Sequence, residues 1–199
     1  MSDNKEVVNN LTLGQGFGNN QGMISMEQKK LSTIVLDLDN TLISSSEKII
    51  DDTDYTFFIH EPNYDNYFGR VRPYVYDFLA LLPTTFDQII VWSAGRANYV
   101  DHICYCIFAN VGYVPHVILS RKDCVESTGD KGKKYHKPLQ KIFTEYYADP
   151  QRTYLLDDSK VSMEHNPPPN CIMVKPYFGD RTDTYLRDVS IPWLQTLSH

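Results

Sequence analysis

The chain has 199 residues, of which 42% are hydrophobic, and it carries a formal net charge of −6. This length and apolar content suffice for one domain with a full core, and the acidic balance argues against a broad nucleic-acid-binding surface, which is usually basic. No apolar run reaches membrane-spanning length, and residues 1–30 lack the apolar core of a secretory signal. We therefore expect an intracellular protein, nuclear or cytoplasmic, without a membrane or a nucleic acid as direct partner.

The chain divides into an N-terminal arm, residues 1–28, and a domain that spans residues 29–199. The arm is rich in Asn, Gln, Gly and Ser and has little apolar periodicity, which is typical of a flexible segment. An alternative is that its scattered apolar residues dock on the domain or on a partner. These residues are Val7, Val8, Leu11, Leu13 and Phe17.

Apolar strands alternate with amphipathic helices over most of the domain. Strands are predicted at 32–38, 87–92, 114–119, 153–157 and 171–175, and helices at 72–82, 97–111, 137–147 and 183–197. This alternation predicts an α/β fold with a central parallel sheet and helices on both faces. Right-handed crossovers would bring the functional strand ends to one edge of the sheet.

The first strand ends in an acidic motif, Asp37-Leu38-Asp39-Asn40-Thr41. Its carboxylates then lie at the carboxyl end of a buried strand, where open α/β sheets bind ligands. Two carboxylates crowded together repel each other unless a cation or a proton lies between them. The motif therefore indicates a hard divalent metal held by oxygen atoms, with a substrate phosphate on its far side.

Two short strands, 55–60 and 67–71, interrupt the alternation and are predicted to form a hairpin joined by the turn-rich residues 62–66. Because the hairpin follows the acidic motif directly, we expect it to overhang the site. Its aromatic residues either pack it against the domain or form an apolar wall for the substrate. They are Tyr55, Phe57, Phe58, Tyr64, Tyr67 and Phe68.

Three later stretches also carry residues suited to phosphoryl transfer. Ser93 follows the second strand and is either a phosphate ligand or a helix cap. Asp157 and Asp158 end the fourth strand and indicate a cation or, alternatively, a surface helix cap. A cation besides the metal would offset phosphate charge, and the lysines that offer it are Lys131, Lys133, Lys134 and Lys137. Arg121 is a candidate phosphate fork.

The order Asp-x-Asp-x-Thr, strand-Ser, Lys and strand-Asp-Asp resembles the motifs of haloacid dehalogenase superfamily phosphatases. Five stretches narrow the resemblance to the small RNA polymerase II C-terminal-domain phosphatases, also called the nuclear-LIM-interactor-interacting-factor type. These stretches are residues 72–79, 91–94, 119–125, 137–139 and 156–159. The resemblance covers roughly residues 30–198. It implies a Rossmann-like α/β/α fold with a β-hairpin insertion and without a large cap domain.

The resemblance also implies roles for the residues that match. Asp37 would be the nucleophile that forms an aspartyl-phosphate, Asp39 the general acid and base, and Thr41 would orient that pair. Ser93 and Lys137 would bind the transferring phosphoryl group, with Arg121 near the substrate phosphate. The charged stretch 126–136 makes Lys134 a rival for Lys137.

The cofactor implied is Mg²⁺, held by the Asp37 carboxylate, the Asp39 backbone carbonyl and Asp158, while Asp157 would hold Lys137 or a water beside the metal. The expected function is a phosphoserine phosphatase for phosphoproteins or phosphopeptides, such as the RNA polymerase II C-terminal repeat. The alternatives are a small-molecule phosphatase, a catalytically silent binding module and a receiver domain.

Overall fold

The computed structural model describes residues 29–47, 57–60, 66–130 and 132–197. The predicted arm, the hairpin turn at 62–65, Tyr55, Tyr64 and Lys131 therefore lie outside the described residues. None of the helices in the described part of the chain is long and apolar enough to cross a membrane.

Ten strands and five α-helices make up the described chain. The strands are β1 (Leu31–Leu36), β2 (Ile43–Ser46), β3 (Phe57–Ile59), β4 (Tyr67–Val71), β5 (Gln88–Trp92), β6 (Val117–Leu119), β7 (Val125–Gly129), β8 (Gly132–His136), β9 (Ala148–Asp157) and β10 (Cys171–Met173). The helices are α1 (Val75–Thr85), α2 (Ala97–Phe108), α3 (Leu139–Glu145), α4 (Lys160–Met163) and α5 (Ile191–Leu197), the last preceded by a π-helical turn at Leu186–Ser190.

The central sheet has five parallel strands in the order β10-β9-β1-β5-β6. The motif strand β1 lies in the middle, paired with β5 on one side and β9 on the other. The predicted α/β class with a central parallel sheet is therefore confirmed, and the residues that the structure describes contain no large cap. In the described residues the additions to this framework are a small antiparallel sheet, β2-β4-β3, and the β7–β8 hairpin.

The side chains of β1 alternate between two apolar cores, one on each face of the sheet. Ile34 and Leu36 pack into a core that includes residues of α1, α2 and α5. Val35 faces the other core, which includes Leu139 and Ile142 of α3. Period-two alternation with both faces buried explains why the run Ile34–Leu36 is apolar at every position, as in strands of parallel sheets.

The small sheet confirms the predicted antiparallel pairing for the described part of the strand expected at 55–60, where Phe57–Ile59 pairs with residues 67–69. It also contains β2, which sequence reasoning missed, paired with β4. The ring of Phe57 lies directly over Gly69: a Cβ built on this glycine would come within 1.9 Å of the ring. Gly69 is thus required for the close approach of β3 to β4.

The structure corrects several predicted boundaries. The stretch 126–136, expected to be a charged connection, forms most of the β7–β8 hairpin. The third helix begins at Leu139 and not at Lys137, which places Lys137 in the link between β8 and α3. The first helix begins at Val75 because Tyr74 adopts a left-handed backbone conformation, with φ of 63°, that a helix cannot include.

Candidate active site

The predicted site residues other than Thr41 line one cleft of about 660 Å³ at the carboxyl edge of the central sheet. Asp37 follows β1, Ser93 follows β5 and Asp157 ends β9. Because these three strands are adjacent and parallel, their carboxyl ends bring the polar side chains together above an apolar sheet. The cleft is also lined by Asp39, Lys137, Asp158 and Arg121.

A buried lysine bridges two carboxylates at the floor of this cleft. Lys137 Nζ donates to Asp37 Oδ1 at 2.6 Å and to Asp157 Oδ2 at 2.7 Å. Lys137 and Asp157 are each 1% exposed and Asp37 is 6% exposed. The distances are at or below those usual for charge-assisted hydrogen bonds, so the three groups form one electrostatic unit shielded from water.

Burial, the largest cause, raises the pKa of Asp37 to about 8. Lys137 acts in the opposite direction, while the carboxylates of Asp157 and Asp39 add to the rise. Burial acts to lower the pKa of Lys137, yet the two carboxylates in contact with it outweigh this effect and raise that pKa. One lysine thus stays charged, but it does not compensate all the negative charge of the cleft floor.

Lys137 is held in place through its backbone by the segment after β9. Its N–H donates to the carbonyl of Ser162 at 2.9 Å, and Asn166 Nδ2 donates to its carbonyl at 2.9 Å. Asn166 Oδ1 also accepts the N–H of Leu139 at 2.8 Å, at the start of α3. Lys134, the rival in sequence, is exposed on β8, so Lys137 is the lysine that contacts Asp37.

The second carboxylate of the motif, Asp39, is held by hydroxyl groups. Its Oδ1 accepts a short hydrogen bond from the Tyr99 hydroxyl and one from Ser45 Oγ at 3.1 Å. Its Oδ2 accepts from Ser93 Oγ at 3.4 Å. The two carboxylates of the motif are therefore in different surroundings: Asp37 contacts a cation, and Asp39 contacts neutral donors.

Ser93 and Tyr99 are brought together by a tight turn between β5 and α2. The N–H of Gly95 donates to Ser93 Oγ at 2.9 Å. A Cβ on Gly95 would come within 2.8 Å of the Tyr99 ring and 3.1 Å of Ser93 Oγ, so the turn requires glycine here. Ser93 does not cap α2, whose N-cap residue is Arg96.

Thr41 contacts the backbone of Asp158 in the structure, and its predicted role of orienting Asp37 and Asp39 stays a prediction. Its Oγ1 accepts the backbone N–H of Asp158 at 3.1 Å, and its carbonyl accepts from Arg72 Nη1 at 2.9 Å. Arg72 is 1% exposed and forms a two-point ion pair with Asp183, at 2.8 and 3.1 Å. The turn that carries Thr41 is thereby fixed to the C-terminal segment of the domain.

The residues of the cleft floor fit a metal bound by oxygen. Carboxylate oxygens of Asp37, Asp157 and Asp158 all lie within 4.8 Å of one another. Both Asp157 oxygens are already engaged, one by Lys137 and the other by the N–H of Ser159 at 2.7 Å. This leaves Asp37 and Asp158 as the better carboxylate ligands, in agreement with the set implied by resemblance. Burial raises the pKa of Asp158, and the Asp157 carboxylate adds to that rise.

Arg121 lies at the edge of the cleft, where its backbone N–H donates to the Gly95 carbonyl at 2.8 Å. Its Nε donates to the carbonyl of Ala94 at 2.7 Å, and its guanidinium stacks on Tyr135 at 5.1 Å from the ring centroid. Arg121 therefore stands next to Ser93 but does not contact the buried lysine–carboxylate unit.

The aromatic residues of the insertion divide between packing and the cleft. Phe57 is buried in the core, and Phe58 stacks on Phe68 with ring centroids 4.9 Å apart. Tyr67 lines the cleft and contacts the Tyr99 ring at 5.1 Å. Phe57, Phe58 and Phe68 therefore pack within the domain, while a substrate contact stays a prediction for Tyr67, which lines the cleft.

Three residues that sequence reasoning missed complete the site: Tyr99, Ser45 and Asn166. The signal for Asn166 was present in the rigid His-Asn-Pro-Pro-Pro-Asn loop, residues 165–170. Ser45 belongs to the three consecutive serines after the motif, which gave no reason to single out one of them. Tyr99 contacts Asp39 across 60 positions of sequence, and local pattern does not reveal such a contact.

Comparison with known proteins shows which family the chain belongs to. Residues 32–199 match the model of the NLI interacting factor-like phosphatase family. The chain is 32% identical over 168 residues to a Dictyostelium discoideum protein named "Probable C-terminal domain small phosphatase", covering 84% of this chain and 51% of the relative. It is 30% identical over 176 residues to human "Carboxy-terminal domain RNA polymerase II polypeptide A small phosphatase 2", covering 88% of this chain and 60% of the relative.

A solved structure of Fcp1, described as an essential RNA polymerase II CTD phosphatase, superposes with a TM-score of 0.57 at 21% identity. The superposition covers 85% of this chain and 49% of that one, and at this identity it supports the fold alone. The chain spans about half the length of the first curated relative that it matches. Because the family model covers most of the chain, this protein belongs to the NLI interacting factor-like phosphatase family.

Proposed function

We propose that this chain is a Mg²⁺-dependent phosphoserine phosphatase that acts on phosphoproteins through an aspartyl-phosphate on Asp37. The observation that carries the proposal is the buried bridge of Lys137 between Asp37 and Asp157, set beside a second carboxylate, Asp39, that is held by neutral hydroxyls. Two neighbouring carboxylates in unlike surroundings suit the two roles that phosphoester hydrolysis needs, a nucleophile and an acid–base group.

In the first step, an Asp37 carboxylate oxygen attacks phosphorus and forms a new P–O bond. The P–O bond to the serine oxygen breaks, and that oxygen takes a proton from Asp39 as it leaves. Lys137 favours the ionised form of Asp37, which is the form that attacks. Ser93 and Lys137 would bind the phosphoryl oxygens, since both lie on the floor of the cleft.

In the second step, Asp39 takes a proton from a water molecule whose oxygen attacks phosphorus. The P–O bond to Asp37 breaks, which regenerates the carboxylate and releases inorganic phosphate. Asp39 thus gives one proton in the first step and takes one in the second, so its protonation is unchanged over the cycle. The hydroxyls of Tyr99 and Ser45 would keep its carboxyl group directed along the path of the leaving and attacking oxygens.

Asp37, Asp158 and the Asp39 backbone carbonyl are the groups that would hold Mg²⁺, with Asp157 holding Lys137 beside them. When bound, the metal would neutralise negative charge on the carboxylates and on the phosphoryl oxygens. Thr41 would contribute by fixing the backbone of Asp158.

The open edge of the cleft favours an extended phosphoprotein segment as substrate. Outside the central sheet, the described residues that line the cleft include those of the small sheet, the β7–β8 hairpin, the turn into α2, α2 itself and α4, and none of these forms a large cap over it. Tyr67 offers an aromatic surface there, which suits proline side chains of an extended peptide. The names of the relatives suggest that such a segment resembles the RNA polymerase II C-terminal repeat.

The proposal is tested by measuring turnover of p-nitrophenyl phosphate and of a phosphoserine peptide by Asp37→Asn. We expect turnover to fall to background, because an amide is not a nucleophile for phosphorus. Asp77→Asn is the matched control, since Asp77 is exposed on α1. Near-normal turnover by Asp37→Asn would refute the mechanism. Faster turnover of sugar phosphates or nucleotides would favour a small-molecule phosphatase, and peptide binding without turnover a binding module.

A further inference from the structure

Three consecutive serines follow the acidic motif, and the structure gives the middle one a position unlike its neighbours. Ser44, Ser45 and Ser46 form most of β2, and side chains of a strand alternate between its two faces. Ser45 lines the cleft, whereas Ser44 and Ser46 do not. Ile43, which shares the face of Ser45, is fully buried, so this is the face that packs on the domain.

The small sheet β2-β4-β3, which we call the insertion sheet, fixes the backbone of Ser45. In the register of β2 with β4, Ser45 lies opposite Gly69, and the ring of Phe57 packs over that glycine. Phe57 is itself buried in the core, so the pairing is anchored to the domain. Ser45 therefore belongs to the insertion sheet, while its hydroxyl reaches the acidic motif that follows β1.

The Ser45 hydroxyl, the Tyr99 hydroxyl and Asp39 Oδ1 form a triangle of oxygen atoms. Tyr99 donates to Asp39 Oδ1 through a short hydrogen bond, and Ser45 Oγ donates to the same oxygen at 3.1 Å. The two hydroxyl oxygens are 2.8 Å apart. Each of the three atoms is thus held by the other two, which fixes the orientation of the carboxyl group as well as its position.

The other oxygen of Asp39 is held less firmly. Among the described residues, Oδ2 accepts a hydrogen bond from Ser93 Oγ at 3.4 Å, which is longer than usual for two oxygen atoms. Ser93 lines the cleft next to the position proposed for the phosphoryl group. Oδ2 is therefore the oxygen of Asp39 that faces the reacting atoms and can exchange a proton with them.

The insertion sheet contacts Tyr99 at a second point. The ring of Tyr67, on β4, lies beside the Tyr99 ring, with 5.1 Å between the ring centroids. Tyr99 is on α2 and so belongs to the central domain. Because both its ring and its hydroxyl contact the insertion sheet, the orientation of Asp39 depends on how that sheet packs against α2.

We infer that Ser45 is a positioning residue that directs Asp39 toward the leaving oxygen, and that it thereby enables the site to cleave phosphate esters whose leaving oxygen needs a proton. This inference rests on the proposed phosphatase function and specifies its substrate class, alkyl esters such as phosphoserine. As the P–O bond to the serine oxygen breaks, the O–H bond at Asp39 Oδ2 breaks and a new O–H bond forms on serine. A p-nitrophenolate leaving group is weakly basic and departs without that proton.

The experiment measures kcat/KM, in the presence of Mg²⁺, for p-nitrophenyl phosphate, phenyl phosphate and a phosphoserine peptide. This parameter covers the steps from free enzyme and substrate to departure of the leaving group. We expect Ser45→Ala to lower it about 3- to 10-fold for the peptide, as for loss of one hydrogen bond. The loss should be smaller for phenyl phosphate and smallest for p-nitrophenyl phosphate. Ser45→Thr, which keeps the hydroxyl, should restore most of the loss.

The matched control is Ser44→Ala, since Ser44 is the next residue of the same strand but does not line the cleft. It should leave kcat/KM for all three substrates near the wild-type values. An equal loss for all three substrates in Ser45→Ala would assign Ser45 a merely structural role and would overturn the inference. Failure of Ser45→Thr to restore activity would overturn it as well.

Two further outcomes separate this inference from its alternatives. A loss confined to the peptide, with no difference between the two aryl esters, would identify a contact of Ser45 with the peptide chain and would also overturn the positioning role. Absence of p-nitrophenyl phosphate turnover in the wild type would count against the phosphatase function itself. Turnover of all three substrates without a graded loss in Ser45→Ala would count against the role of Ser45 alone.

Discussion

Replacement of Lys137 by methionine tests whether the lysine–carboxylate unit holds the site together. Met keeps the length of the side chain but removes the ammonium group that contacts Asp37 and Asp157 at 2.6 and 2.7 Å. Removing one partner of a buried ion pair costs about 3–5 kcal/mol, since it leaves an uncompensated charge in the interior. Here two nearby carboxylates lose their shared cation, so we expect the free energy of unfolding to fall by an amount in the upper part of that range.

The assay is urea unfolding of the metal-free protein, followed by fluorescence, with Lys134→Met as the control. Lys134 lines the same cleft but is exposed and has no ion-pair partner among the described residues, so its replacement should change stability by less than about 0.5 kcal/mol. Mg²⁺ at about 100 times its Kd should return roughly 2.7 kcal/mol to any variant that still binds it.

If Lys137→Met lowers the free energy of unfolding by no more than Lys134→Met does, the lysine does not stabilise the cleft floor in the way described. Should Lys137→Met fail to fold, Lys137→Met/Asp157→Asn keeps the test open, because it removes one of the two stranded carboxylates. This double variant should regain part of the lost stability. If Lys137→Met/Asp157→Asn is less stable than Lys137→Met, then Lys137 does not stabilise the domain by compensating the charges of these carboxylates. In both Lys137→Met and Lys137→Met/Asp157→Asn, turnover should fall about 10²- to 10³-fold, which is the usual effect of losing one electrostatic group that contacts the reacting atoms.

Three further predictions follow from single contacts. Tyr99→Phe removes a hydroxyl that donates to Asp39 and should lower kcat about 10-fold or more with little change in KM, since charge-assisted hydrogen bonds contribute about 1.5–3 kcal/mol. Mg²⁺, titrated by its effect on Tm, should bind more tightly as pH rises toward 8, because burial raises the pKa of Asp37 to about 8 and the metal displaces that proton. Gly69→Ala should destabilise the domain by about 1–3 kcal/mol in urea unfolding, because the new methyl group meets the Phe57 ring.

The sign of the pH effect follows from the direction of the shift. In the metal-free protein the pKa of Asp37 is raised above its ordinary value of 3.8, so its contribution to stability is complete below 3.8 and is lost as pH rises through 8. Mg²⁺ affinity that is flat between about pH 6 and 8 would contradict the assignment, as would the same pH dependence in Asp37→Asn. A kcat of Tyr99→Phe equal to that of the wild type would exclude a positioning role, and wild-type stability of Gly69→Ala would exclude a rigid contact.

The central sheet was predictable because its strands are buried on both faces and read as continuous apolar runs. Residues 34–36 and 89–91 are of this kind, and each is found where the pattern indicates. The strands that were not predicted from the sequence pattern are not buried on both faces. Strand β2 reads Ile-Ser-Ser-Ser, and β8 reads Gly-Lys-Lys-Tyr-His, with three of its residues exposed. Polar strands at the surface carry no alternation from which a strand could be inferred.

The charged residues of the site were predictable for a related reason. A carboxylate directly after an apolar strand is costly unless it has a partner, so Asp37, Asp39 and the Asp157-Asp158 pair stood out. The hydroxyl groups that contact these carboxylates did not stand out in the sequence. Hydroxyl-bearing residues are common at protein surfaces, where they carry little energetic cost, so their presence indicates no site. Whether Ser45 or Tyr99 faces a carboxylate depends on how the insertion and α2 pack over β1, which is a property of the assembled fold.

The charged residues of the cleft floor suit a chemical reaction better than they stabilise the fold. Four carboxylates, those of Asp37, Asp39, Asp157 and Asp158, line the cleft, and the buried cation among them is Lys137. Proteins in which well-packed apolar residues replace a buried ion pair are often as stable as the original or more stable. Stability alone therefore does not account for this cluster of charges. A divalent cation bound at this floor would instead relieve the excess negative charge. Asp37 has one oxygen that Lys137 contacts, and its other oxygen is left for the metal or the phosphoryl group. The groups that destabilise the metal-free domain are therefore the ones that would bind the metal and attack the phosphoryl group.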